Sequence, residues 1–317
     1  MTRIENAATW SQFDFSFKSW HKIAHAQLDK AFQLSPHLTF DNKSRLIFIS
    51  DAHRGVNNRD DMFAPNANLF FHALTHYFDQ EYTFVEVGDG DELWHNRHFN
   101  DIRRTYRKIF DLFAQFSQRD RLHLVVGNHD SPRGLFDPME KDGIPVHQGL
   151  RLTHSITGQK IFAVHGHQAD PDGDRKWESH RRHSRYFMWY LVRIISNKYH
   201  HFLEPKHDLS EPVRLLRLPV WFGEMVLTKA YRLESAIKMW LAKERQIVIS
   251  GHTHMLNFPQ KNELPHFNTG HCITPGYMTG IEIEEGMMSM VKWTERDGYF
   301  SRSILCQMPL NMIVIPH

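Results

Sequence analysis

Cysteine is nearly absent from this chain. Cys272 and Cys306 are the only two in 317 residues, too few for a disulfide framework and without the C-x-x-C spacing of a thiolate metal site. Long apolar runs are missing as well: no stretch approaches the eighteen uninterrupted apolar residues of a spanning helix. The N-terminus lacks the basic segment followed by an apolar core that marks a secretory leader. Net charge is small, +2 at pH 7. These absences make a reducing cytoplasm the expected location, with peripheral contact at the inner membrane face left open. What remains is an ordinary globular composition, 41% hydrophobic and 23% charged, long enough for one large domain with an insertion.

Histidine, by contrast, is plentiful, with 24 residues, and part of that supply falls in a pattern. Five short sequences each follow a hydrophobic run, directly or after a single serine: Asp51-Ala52-His53 after Leu46–Ile49, Gly88-Asp89 after Phe84–Val87, Gly127-Asn128-His129-Asp130 after Leu122–Val126, His165-Gly166-His167 after Ile161–Val164, and Gly251-His252-Thr253-His254 after Ile247–Ile249. The runs are short, β-branched or aromatic, and bounded by turn residues, which predicts buried strands. In an open α/β sheet, residues just past the carboxyl ends of the strands meet in one crevice. Asp51, His53, Asp89, Asn128, His165, His252 and His254 would supply hard oxygens and imidazoles without a thiolate, a set suited to manganese, iron or zinc. Taken singly, each motif has a plain alternative as a capped turn or a solvated polar loop. Their joint order is what points to a metal site.

That order resembles the calcineurin-like metallophosphoesterase superfamily, whose signature is D-x-H, G-D-x-x-[DE], G-N-H-[DE], a later His in an H-G or G-H pair, and G-H-x-H. All five stand intact here, over roughly residues 45 to 295. The resemblance implies a four-layer α/β/β/α sandwich holding two divalent transition metals, with manganese first and iron or zinc as alternatives. It implies that Asp51, His53, Asp89 and His254 hold one metal and that Asp89, Asn128, His165 and His252 hold the other, so that Asp89 bridges them through its two oxygens. It further implies that His129 is the leaving-group acid, with Glu92 or Asp130 orienting its ring. Two such cations would neutralise the phosphoryl oxygens and lower the pKa of a shared water, giving a nucleophile at neutral pH. Arg54 is expected either to reach a substrate phosphate or to lie on the surface. His167 and His271 are expected as neighbours of the ligands, and Asn268 as part of a turn closing a second sheet.

The stretch Gly88-Asp89-Gly90-Asp91-Glu92-Leu93-Trp94 also matches the G-D-x-x-E-x-W wording of UDP-2,3-diacylglucosamine pyrophosphatases, a branch that carries a helical lid between the corresponding histidines. That branch reads G-N-R-D where this chain has Gly127-Asn128-His129-Asp130, the form of the general phosphoesterases.

Residues 1–43 are expected as an N-terminal helical extension, with a helix over 15–34 burying Trp20, Ile23, Ala24 and Leu28, before a metallophosphoesterase domain over 44–317. Apolar spacing predicts further helices over 68–78 and 101–116. Residues 281–283 and 288–293 alternate as half-exposed strands of an antiparallel second sheet, turning at Gly286. Between His165 and His252 the chain is far longer than a connection needs. Residues 172–245 hold fifteen Lys and Arg against nine Asp and Glu, while the rest carries a net −4. Helically spaced stripes, Met188–Ile195 and Val213–Val226, predict a basic helical insertion, read either as a substrate lid or as helices packed on the core.

The function expected from the sequence is therefore a binuclear metal-dependent phosphoester hydrolase, its substrate an amphiphilic phosphoester, lipid-linked or nucleotide-linked. A lipid A pyrophosphatase-like enzyme is the nearest alternative. A nuclease would favour a basic groove with stacking aromatics, and nucleic acid is not the expected partner. A non-catalytic scaffold on the same fold would be expected to have lost ligands, and none is missing.

Overall fold

A computed structural model of the chain describes residues 6–130, 139–171 and 220–316, with side chains from residues 19, 140 and 230 onward in those three stretches. The elements follow in the order α1 (Asn6–Leu34), β1 (His37–Phe40), β2 (Leu46–Ile49), α2 (Ala67–Asp79), β3 (Thr83–Val87), α3 (Phe99–Thr105), α4 (Arg107–Ser117), β4 (Leu122–Val125), β5 (Met139–Lys141), β6 (Ile144–His147), β7 (Leu150–His154), β8 (Lys160–Ala163), α5 (Val220–Glu244), β9 (Ile247–Ser250), β10 (His266–Asn268), β11 (Tyr277–Glu284), β12 (Met287–Arg296) and β13 (Tyr299–Pro309). Two mixed sheets result, one ordered β1-β7-β8-β9-β10 and the other β13-β12-β11-β2-β3-β4-β6-β5.

Three apolar layers hold these elements in an α/β/β/α sandwich. Between the sheets lie Phe48, Val85, Ile161, Ile249 and Ile281. Outside the larger sheet, α2, α3 and α4 supply Leu69, Phe70, Ile102, Ile109, Phe113 and Phe116. Outside the smaller sheet, α1 and α5 pack Leu28, Ile237 and Trp240 onto Phe162 and Val248. Strands covered on both faces are mostly apolar, which is why the motif-bearing runs read as nearly continuous hydrophobic stretches rather than alternations. Parallel pairing of β2 with β3, β3 with β4, and β8 with β9 sends their carboxyl ends to the same side.

Several expectations from the sequence change. The first strand is β1, which pairs with β7 before β2 begins, so the segment ahead of residue 44 contributes to a sheet as well as a helix. On α1 the buried stripe is Ala24, Leu28 and Ala31, whereas Ile23 is 38% exposed. The helix predicted over 101–116 is broken at Tyr106, whose φ of −106° and ψ of 37° leave the helical region and whose buried hydroxyl donates to Asp61. The strands around residues 281–293 do not start a second sheet. They extend the larger sheet, that of β2, β3 and β4, β11 lying antiparallel to β2 with Ile281 opposite Phe48, and Ile281 and Ile283 are buried between the layers. Their connection places Glu285 and Gly286 at φ 51° and 72°, the paired positive angles of a tight hairpin turn. Of the predicted insertion, residues 172–219, with the stripe Met188–Ile195, lie outside the described residues. Its C-terminal part is α5, where Leu233, Ile237, Trp240 and Leu241 are core residues against α1 and the smaller sheet.

Candidate metal centre

Each motif occupies a loop at the carboxyl end of its strand, and the loops are held against one another by their own backbones. The N–H groups of Asp51, His53 and Arg54 donate to the carbonyls of Gly88, Asp89 and Gly90 at 3.0, 2.9 and 2.9 Å. The Gly251 N–H donates to His165 O at 3.0 Å. Asn268 ties down the last loop, its amide donating to Gly251 O at 2.8 Å and Thr253 Oγ1 at 3.0 Å. That contact gives it a definite role beyond a closing turn.

Five of the expected ligands adopt a left-handed backbone: Asp51 (φ 54°), His53 (50°), Asp89 (50°), His252 (68°) and His254 (57°). Such angles are strained for residues other than glycine and persist only where the surroundings enforce them. Gly127 is needed for a different reason, since a Cβ there would lie 2.1 Å from both Asp89 N and Asp89 Oδ1.

The two carboxylates are presented in the same manner. Asp51 Oδ2 accepts the backbone N–H of His252 at 3.0 Å and the Ser50 hydroxyl. Its Oδ1 is buried without a hydrogen bond and faces His254 Nε2 at 3.0 Å and His53 Nε2 at 3.9 Å. Asp89 Oδ1 accepts the His129 N–H at 2.8 Å, while Oδ2 faces His165 Nε2 at 3.1 Å and His53 Nε2 at 3.7 Å. Oδ2 is thus the Asp89 oxygen turned toward imidazole nitrogens, while Oδ1 is engaged by the backbone. His165 Nδ1 lies 2.9 Å from the Val87 carbonyl, a bond in which that nitrogen donates, leaving Nε2 to carry the lone pair. Nε2 makes no hydrogen bond, and neither does the buried Asn128 Oδ1.

Among the described residues the donor atoms of Asp51, His53 and His254 lie within 4.8 Å of one another, as do those of Asp89, His165 and His252 and those of His53, Asp89 and His129. Asp51 Oδ1, His165 Nε2 and Asn128 Oδ1, buried there without hydrogen bonds, fit a first-row transition cation, and the absence of sulfur favours a hard-to-borderline one. Electrostatics agree. Burial alone would lower the His53 and His165 pKa values, yet for His53 the Glu92 hydrogen bond and the Asp89 charge, and for His165 the Asp89 and Asp51 charges, raise them to about 9. Burial would raise Asp51 and Asp89, but the imidazoles of His254 and His165 hold both below the usual carboxylate range. The site is a negative pocket that attracts positive charge, from protons or from metal.

Beside it stands His129, with Nδ1 2.7 Å from Glu92 Oε2. Of the two carboxylates considered for orienting this ring, Glu92 is the one in contact. Burial would raise the Glu92 carboxyl, but the neighbouring His129 and His53 hold it well below its ordinary range. Asp130 is engaged elsewhere: its oxygens accept from Gly127 N at 2.8 Å, Asp91 N at 2.9 Å and Lys141 Nζ at 2.8 Å. It shapes the loop rather than touching the ring.

Arg54 corrects both expectations made for it. The side chain is fully buried, bonded to Glu86 at 2.6 and 3.0 Å and to Asp91 at 2.8 Å, with Phe110 and Phe113 each 5.2 Å from its guanidinium. It is neither a surface arginine nor free to grip phosphate. Together with Lys141, which also pairs with Asp91, it forms a buried ion network beneath the loops. Sequence reasoning missed Glu86, Asp91 and Lys141, although a glutamate inside the apolar strand Thr83–Val87 was a signal, since a buried carboxylate requires a partner. It also missed Asp170, buried with Oδ2 3.9 Å from His252 Nε2. His167 is buried beside His165, its pKa pushed well down by desolvation. His271 has its ring 5.6 Å from that of His254, and burial lowers its pKa to about 3.

No family model and no curated protein matches the chain. Among solved structures it is similar to vacuolar protein sorting 29 of Cryptosporidium parvum, at 14% identity over 85% of this chain and 100% of that one with a TM-score of 0.40. It is also similar to wild-type Vps29 of Entamoeba histolytica complexed with zinc, at 15% identity over 82% and 98% with a TM-score of 0.36. A further likeness is to a point mutant of a cold-active protein tyrosine phosphatase, at 13% identity over 84% and 82% with a TM-score of 0.39. Likenesses this distant carry no argument about activity, which rests on the site itself.

Proposed function

We propose that the chain is a binuclear metal-dependent phosphoester hydrolase. The observation that carries this reading is the paired presentation of Asp51 and Asp89, each with one oxygen fastened by a backbone N–H of another motif loop and the other turned toward imidazole nitrogens. Asp51, His53, His254 and Asp89 would hold one cation and Asp89, Asn128, His165 and His252 the other. Bound there, two divalent cations would neutralise phosphoryl oxygens and activate water at neutral pH. Manganese is the first candidate, iron and zinc the others.

The chain's own part in the reaction centres on His129. Its Nδ1–H donates to Glu92, leaving Nε2 to deliver a proton to the departing oxygen. Glu92 stabilises the charged imidazole that this step requires, as a carboxylate held ionised by its surroundings can. Glu92 also contacts His53 Nδ1 at 3.2 Å, so one carboxylate orients both the acid and a metal ligand. Arg54 and Lys141 hold the loops from below and take no proton.

An amphiphilic substrate is the finer part of the proposal. Met255 and Leu256, directly after His254 in the sequence, are 46% and 43% exposed, apolar surface next to a proposed ligand that the acyl part of such a substrate would cover. The test is to give the purified full chain, with manganese, a small aryl phosphomonoester, an aryl phosphodiester and a nucleotide-linked acylated sugar. Hydrolysis with the highest kcat/KM on the acylated substrate is expected. Full metal loading without hydrolysis of any of the three would refute the hydrolase reading, and preference for the small monoester would refute the amphiphile.

A further inference from the structure

The segment Glu92-Leu93-Trp94 wraps one histidine from three directions. The Leu93 N–H donates to the His129 carbonyl at 3.0 Å, the Glu92 carboxylate takes the Nδ1–H, and the Trp94 indole stacks on the imidazole with ring centroids 3.7 Å apart and planes inclined by 27°. Glu92 Oε1 also accepts the Trp94 N–H at 3.2 Å, so the carboxylate that bonds the ring anchors the residue that covers it. On another side the His53 ring meets His129 edge-on, at 4.6 Å and 84°.

A single hydrogen bond at Nδ1 fixes the tautomer and one point of the ring, but leaves the imidazole able to tilt about the Nδ1···O line. An aromatic plane laid on the ring face removes that freedom, because tilting must break the stack. A proton donor loses rate steeply when misaligned, and displacement by about 1 Å can cost on the order of a hundredfold. We infer that Trp94 is a positioning residue, fixing the plane of the His129 imidazole so that Nε2 is aimed at the leaving group. The inference rests on the proposed role of His129 for its consequence, though not for the stack itself.

The experiment compares Trp94→Leu, which removes the aromatic plane, with Trp94→Phe, which keeps a smaller one. First, the proton and carbon signals of the His129 imidazole are followed by NMR, with His129→Ala identifying them. The wild-type ring proton should sit upfield in the indole's shielding cone, lose that shift in Trp94→Leu and recover part of it in Trp94→Phe. Second, kcat should fall about tenfold in Trp94→Leu for alkyl phosphoesters, whose leaving groups need a proton, with KM and aryl ester turnover nearly unchanged. Trp94→Phe should restore most of it, and adding Trp94→Leu to His129→Ala should cost nothing more. An unshifted wild-type signal overturns the proposal. So do equal losses on aryl and alkyl substrates, or a full additional loss on the His129→Ala background. The NMR readout needs no turnover, so it judges whether Trp94 holds the ring even if no phosphoester is cleaved, an outcome that removes the hydrolase reading and with it the aim at a leaving group.

Discussion

The backbone N–H of His129 donates to Asp89 Oδ1 at 2.8 Å, so the histidine proposed as the acid also fixes the carboxylate proposed to be shared by the two cations. Two functions of residue 129 are thereby separable. Its side chain meets Glu92 and Trp94, whereas its main chain orients Asp89. Truncating the imidazole leaves the second function intact.

His129→Ala is therefore expected to keep its full metal content while losing about a hundredfold in turnover on esters with poor leaving groups, the usual scale for a positioned acid. Metal analysis and kcat on an alkyl ester check it together. Loss of metal in this variant would mean that the imidazole is itself a ligand.

Gly127→Ala should have the opposite signature. A Cβ at 2.1 Å from Asp89 N and Oδ1 forces the second and third loops apart, so metal retention should drop even though no ligand is altered. Dialysis followed by elemental analysis, with circular dichroism to verify the fold, decides it. Wild-type retention would show that the loops are less tightly interlocked than these contacts require.

Arg54→Met tests the buried network. Removing the guanidinium leaves Glu86 and Asp91 buried with fewer partners, and breaking a buried pair from one side typically costs about 3–5 kcal/mol. Urea denaturation should register that loss, with KM nearly unchanged in whatever variant remains folded. A raised KM at wild-type stability would instead return Arg54 to the substrate.

The motif loops were legible because their ligands must follow buried strands, and a buried parallel strand announces itself as an unbroken apolar run such as Leu46–Ile49. What the motifs could not reveal is geometry inside a loop. Which oxygen of Asp89 is free depends on the His129 N–H, which lies forty residues away. That Arg54 is buried depends on Glu86 from the neighbouring strand. Sheet membership of residues 281–283 and 288–293 is not legible because alternation identifies a strand but not its partner, and β11 pairs with β2 across more than two hundred residues. On α1 the exchange of Ile23 for Ala31 in the buried stripe, with Ala24 and Leu28 retained, follows from packing against α5, which the helix's own sequence does not encode.

His266 supplies a pH dependence. It is fully buried, with Nε2 2.8 Å from Ser250 Oγ, and desolvation, aided by Lys238, lowers its pKa from 6.5 to about 3. A histidine depressed on folding contributes stability above its unfolded value and loses it as pH falls. Between pH 6.5 and about 3 this one group should cost ~1.4 kcal/mol per pH unit. Urea midpoints across that range should fall less steeply in His266→Gln than in the wild type. Equal slopes would show that His266 titrates normally.

The most direct measurement is the metal content of the purified chain, by elemental analysis, beside Asp89→Asn. Two oxygens of Asp89 do two different jobs, and an amide cannot supply the charge that Oδ2 presents to both imidazoles. The account predicts close to two transition metals per wild-type chain, a marked loss in Asp89→Asn, and a rise in Tm of the stripped wild type on adding manganese or zinc. A wild-type chain that holds no metal and gains no thermal stability from either cation would contradict it.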